Sequence, residues 1–128
     1  MKITNKTILN FANLQLGGKH LPVKVAFAIS TNAEAIGGAL KAYNEQRNAM
    51  IEKYVEKDKK GNPVIKENGT YDIKDEEAWN KEIDELLDAE AEVAVTTIKM
   101  KDLAKCDEAG FDSLNLSEIS MLRFMVES

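Results

Sequence analysis

Metal centres and covalent catalysts draw heavily on histidine and cysteine, and this 128-residue chain has one of each, His20 and Cys106. A lone cysteine excludes an internal disulfide and a thiolate zinc cluster, and it fits a reducing cytoplasm. His20 has no second histidine or cysteine at metal-ligand spacing and no evident partner for base catalysis, so it receives no role. Cys106 lies between Lys105 and the pair Asp107-Glu108, whose carboxylates work against an activated thiolate. Neither Gly17-Gly18 nor Gly37-Gly38 continues into GxGxxG or Gly-Lys-Ser/Thr, so neither is a phosphate cradle. No cofactor is implied.

Long apolar runs are also missing. No segment approaches the ~20 apolar residues needed to span a bilayer. The start, Met1-Lys-Ile-Thr-Asn-Lys6, lacks the apolar stretch and cleavage site of a secretory signal. A cytoplasmic protein without a membrane partner is expected. Positive charge is the scarcer sign, 17 Lys and Arg against 22 Asp and Glu, for a net charge of -5. Affinity for nucleic acid comes from Lys and Arg displacing condensed counterions, so direct nucleic-acid binding is disfavoured.

The length is that of one domain, 1–128, with apolar content for a modest core. Thr4 or Asn5 can cap a short helix carrying Ile8, Phe11, Ala12 and Leu16, which Gly17-Gly18 then stops. Pro22 suits a first helical turn, where its missing N–H is not needed. Val23, Val25, Phe27 and Ile29 alternate as in a strand. A longer 3-4-3-4 stripe, Ala26, Ile29, Ala33, Ile36, Leu40, Tyr43, Arg47, Met50 and Tyr54, favours one helix from about 22 to 57. Gly37-Gly38 inside it needs a reason, either a kink or a close helix crossing.

Lys57 to Lys74 is turn-rich and reads as a two-stranded hairpin inserted at about 62–74. A two-residue turn at Asn68-Gly69 sets Val64 opposite Ile73, whereas a three-residue loop sets Ile65 opposite Tyr71. Either the hairpin caps the helical pair, with Val64 and Ile73 against Tyr54 and Trp79, or Ile65 and Tyr71 point to solvent and form a docking surface. Asp75, Glu76 and Glu77 open the next helix, to about Glu90, with a core stripe of Trp79, Ile83, Leu86 and Leu87. Glu82, Glu85 and Asp88 belong to its acidic remainder. β-Branched residues make Glu92 to Met100 a strand, paired either with the hairpin or with another chain. Residues 101–113 read as irregular. The last helix begins at Asn115 or Ser117, where Asn115 and Glu118 have capping-box spacing and Leu114 is placed to staple onto Ile119. The last helix is apolar nearly all round, so Met121, Phe124 and Met125 face either the core or a partner. The expected fold is α+β, mainly α: a long antiparallel helical hairpin capped by a β-hairpin, plus a short strand and a C-terminal helix.

Five phrases, taken together, carry a resemblance. They are Leu21-Pro-Val-Lys-Val-Ala-Phe-Ala-Ile29 with Asn32, Tyr43-x3-Arg47-x3-Ile51-x2-Tyr54, Lys57-Asp-Lys-Lys-Gly61, Glu85-Leu-Leu-Asp88 running into Glu92-Val-Ala-Val95, and Leu116-Ser-Glu-x3-Leu122-x-Phe124-Met-Val-Glu127. The chain resembles a family of small proteins of unknown function encoded by phages and prophages of Gram-positive bacteria. The resemblance implies a viral, cytoplasmic, partner-binding protein and a helix at 23–29, with no catalytic residues to carry over.

The leading expectation is a non-enzymatic interaction protein acting in assembly or in control of a host process. The alternative is an acidic inhibitor of a host nucleic-acid enzyme or defence system, in which Glu82, Glu85 and Asp88 imitate phosphates. A carboxylate or metal enzyme lacks a convergent set of nucleophile, base and oxyanion donor. The partner is a phage or host protein, with self-association open through the 92–100 strand or the last helix.

Overall fold

Residues 1–127 are described by a computed structural model. The elements are β1 (Lys2–Thr4), α1 (Asn5–Ala12), α2 (Val23–Ala35), α3 (Gly37–Tyr54), α4 (Glu76–Asp88), β2 (Glu90–Glu92), β3 (Ile98–Lys99), α5 (Met100–Leu103), α6 (Leu116–Leu122) and β4 (Val126–Glu127), with 3-10 turns at Ala104–Asp107 and Arg123–Met125. The fold is α+β and mainly helical, with two small two-stranded sheets.

Local capping chemistry explains several boundaries. Thr4 caps α1 by accepting from the Thr7 N–H, and Asp75 caps α4 by accepting from the Ala78 N–H. At α6 the full capping box forms: Glu118 N–H donates to Asn115 Oδ1 at 2.8 Å, and Asn115 N–H donates to Glu118 Oε1 at 2.9 Å. Glu118 also meets Lys19 Nζ at 2.9 Å, tying α6 to the loop after α1. These backbone and lysine bonds hold its carboxyl below the usual glutamate value.

The stretch expected as one helix is two. Residues 23–29 are helical, not a strand, but the helix breaks at Ile36, and α3 starts at Gly37. The break falls next to the glycine pair, and neither glycine takes a positive φ. A close crossing is not its reason, because a Cβ at Gly37 or Gly38 would meet no atom within 4 Å. Pro22 sits one position earlier than expected, as the extended N-cap of α2. The buried stripe of α2 is Val25, Ala28 and Asn32 leading to Ile36; Ala26 and Ala33 are exposed, as is Arg47 in α3.

The expected strand at 92–100 is instead two short strands flanking an irregular stretch. β2 pairs antiparallel with β1, Ile3 opposite Ala91, and β3 pairs parallel with β4, Ile98 opposite Val126. Both partners lie near the chain ends, so the hairpin is not the partner and no second chain is needed. Between the two strands Asn32 serves the backbone of Thr96 through its amide. Residues 101–113 are more regular than expected, since α5 and the following turn bury Leu103 and Cys106. The final helix ends at Leu122 and gives way to a 3-10 turn and β4.

The main core joins Ile3, Ile8 and Phe11 from the start to Val25, Ala28, Val93, Ile98, Leu103, Leu122 and Met125. α1 packs on α3, α4 and α6. Its Asn5 accounts for two carbonyls at the end of α4, Leu86 through Nδ2 at 2.8 Å and Ala89 through its N–H at 2.9 Å. That docking aligns the chain for the β1–β2 pairing and fixes the base of the α3–α4 arm.

Candidate partner-binding surfaces

α3 and α4 join at the far end of the arm through a polar and aromatic clamp. Tyr54 Oη donates to Glu82 Oε1 at 2.7 Å, and Lys53 Nζ reaches the same oxygen at 3.0 Å. The Tyr54 ring meets Trp79 edge-on, with centroids 6.0 Å apart at 81°. The shared hydrogen bonds lower the Glu82 carboxyl below its ordinary value and raise the Tyr54 hydroxyl and the Lys53 ammonium above theirs.

Beyond the clamp the chain does not form a simple two-stranded hairpin. Three extended segments, spaced eight residues apart at Glu56, Val64 and Asp72, close on one another in a ring. Glu56 N–H donates to Asp72 O at 2.7 Å, Asp72 N–H to Val64 O at 2.9 Å, and Val64 N–H to Glu56 O at 2.7 Å. Three antiparallel bridges mark the sides: Val55 with Ile73, Lys57 with Pro63, and Ile65 with Tyr71.

The two turns of the ring are copies. Asp58 N–H donates to Asn62 O and Gly61 N–H back to Asp58 O; eight residues on, Lys66 N–H donates to Thr70 O and Gly69 N–H back to Lys66 O. Gly61 and Gly69 take φ of +82° and +84°, the left-handed residue that ends a three-residue hairpin loop. Asp58 Oδ1 and Asn68 Oδ1 brace the turns from inside. The eight-residue spacing of Gly61 and Gly69, and of Glu56, Val64 and Asp72, is visible in the chain. A single-hairpin reading passes over that period because only its second copy contains Asn-Gly.

The centre of the ring offers a partner its side chains, because its backbone groups are already used. The three central residues both donate and accept within it, so the strand-edge groups that template β-addition are occupied there. Val55 is wholly buried, and Val64 and Ile73 are half-buried. Ile65 and Tyr71 face each other across the second hairpin, 61% and 41% exposed. The three-residue-loop register is thus the one adopted, and this apolar pair points to solvent.

The other expected site residues fall into two groups. Glu85 and Asp88 are exposed on α4, but Glu82 is turned into the clamp, which removes it from a phosphate-like row. Met125 is wholly buried, with Sδ 3.4 Å from Asn32 Nδ2, so it is core and not a docking residue. Phe124 is half-buried, edge-on to Phe11 at 5.3 Å, and Met121 is half-buried beside it at a surface cavity of ≈ 270 Å³. Leu114 packs against the core, and Ile119 stays 39% exposed. His20 stacks on Phe111 at 5.3 Å, and its N–H donates to Asp112 Oδ2 at 2.6 Å, which pins the 108–113 loop. Comparison with family models, curated proteins and solved structures finds no match to this chain.

Proposed function

We propose that the protein is a non-enzymatic interaction protein of a phage or prophage, acting in the host cytoplasm by presenting the tip of the α3–α4 arm to a protein partner. The observation that carries this reading is the exposed Ile65–Tyr71 pair on a ring whose central backbone groups are already satisfied. A closed ring loses little conformational freedom on binding, and an aromatic beside an aliphatic side chain is the composition of an interface anchor. The phage origin is supported by the sequence resemblance alone. Absence of a convergent catalytic set in the sequence supports the non-enzymatic part.

The test is in-cell photo-crosslinking from position 65 or 71 in a host carrying the phage genes. The expected result is one dominant crosslinked protein whose capture falls sharply with Tyr71→Asp and Ile65→Asp. Capture that is unchanged by either substitution would remove the tip as the binding surface.

A further inference from the structure

A second surface, away from the tip residues, has a different chemistry. α2 exposes Val23 at 83% and Phe27 at 68%, four residues apart and hence on one helix face. Both line a cleft of ≈ 400 Å³ between α2 and residues 96–102, together with Lys24, Lys99, Lys101 and Asp102. Three lysines gathered at one cleft invert locally the charge of a chain whose net is -5.

Two carboxylates, Asp102 and Glu127, also line the cleft and leave it a net formal charge of +1 against the three lysines. Asp102 is 94% buried in effect, at 6% exposure, and its Oδ1 has no hydrogen-bond partner. Its nearest cations, Lys105 at 3.6 Å and Lys24 at 3.9 Å, lie beyond hydrogen-bond length. Glu127 is engaged by the Thr97 hydroxyl at 2.8 Å. Lys24 is 75% exposed and so only loosely held. Lys99 and Lys101 are exposed and form no ion pair among the described residues.

We infer that this cleft docks an acidic, amphipathic segment of a protein partner, with an apolar side chain against Phe27 and Val23 and carboxylates on Lys24, Lys99 and Lys101. Charge complementarity selects the sign of the occupant, and the exposed Phe27 selects a protein over a polyanion. A nucleic-acid backbone asks for a longer cationic track than three lysines on an acidic chain. The acidic helix α4 of a second copy offers carboxylates, but its Leu86 is buried and its Trp79 half-buried within the arm, so it lacks a free apolar anchor.

The experiment is selection of a random displayed-peptide library on the purified full chain, followed by binding of the winning peptides as synthetic probes. Enriched peptides are expected to be rich in Asp and Glu around one or two large apolar residues. Their affinity should weaken about tenfold or more on Phe27→Ser and on Lys99→Glu/Lys101→Glu, fall with added salt, and not change on Tyr71→Ser. Lys24→Glu disturbs the buried Asp102, so the Lys99 and Lys101 pair, which touches no buried carboxylate, is the decisive variant. Neutral or basic winners, no enrichment, or binding indifferent to the cleft variants overturns the inference. So does displacement of the peptide by a duplex oligonucleotide, which assigns the cleft to nucleic acid, or a dimer that Lys101→Glu dissociates, which assigns it to self-association.

Discussion

Asn32 holds Thr96 as a strand partner would: Thr96 N–H donates to Asn32 Oδ1 at 2.7 Å, and Asn32 Nδ2 donates to Thr96 O at 2.9 Å. The Asn32 side chain is wholly buried, while Thr96 is exposed and the two bonds between them are part-buried. Leaving a buried backbone group unpaired costs about 1–3 kcal/mol. Asn32→Leu should therefore destabilise the protein by about 1–3 kcal/mol, read as a shift in denaturant midpoint. A loss below about 1 kcal/mol would mean that residues 93–97 find another partner.

Glycine substitutions should divide by sign. Gly69→Ala and Gly61→Ala force a side chain into the left-handed region, and since a Cβ there meets nothing within 4 Å, the cost is backbone strain of about 1–2 kcal/mol. Gly38→Ala lies in a helix with open space around it and should stabilise by about 0.5–1 kcal/mol. Equilibrium unfolding of the three variants checks both directions. Destabilisation by Gly38→Ala would show that the bend at Ile36 depends on glycine.

Glu82 links stability to pH at both ends. Its folded value lies below the ordinary 4.5, mainly through the Tyr54 hydrogen bond and then Lys53, so its stabilisation is present above 4.5 and lost as pH falls through the lower folded value. Tyr54 is raised above 10.0, first by Glu82, so its contribution is present below 10.0 and lost as pH rises through the higher folded value. Glu82→Gln should lower the melting temperature at neutral pH, with the gap closing in acid. A gap that is constant from neutral to acid pH contradicts the ion-pair origin.

Cys106 should behave as a reporter of unfolding. It is buried at 3% exposure, and burial, followed by the charge of Asp107, pushes its thiol above 9.0. A disulfide exchange reagent at mildly alkaline pH should leave the folded protein unreacted and label it fully in denaturant. Prompt labelling without denaturant would show that α5 and the turn after it open readily.

How much of this was legible depends on range. Thr4, as one of two candidates, and Asn115 were readable as caps because a cap bonds within three residues of itself, whereas Asp75 was read only as a first-turn charge. The outward pair Ile65–Tyr71 was readable as one of two registers, since turn length sets which residues oppose. The buried face of α2 was not readable, because residues 23–29 are apolar on nearly every side and no single stripe stands out. The role of Glu82 was hidden too, since an acidic residue on a helix looks the same whether it faces solvent or a tyrosine on the next helix.

Composition and short-range pattern alone determine a mainly helical α+β chain with a turn-rich tip, because helix periodicity, caps and glycine turns are local. Tertiary structure decided the rest: the closure of 56, 64 and 72 into a ring, the pairing of β2 and β3 with the two ends of the chain, and the cleft that joins Phe27 to Lys101. Those depend on long-range contacts, whose partners are chosen by which apolar faces can be buried together and not by any neighbouring residue.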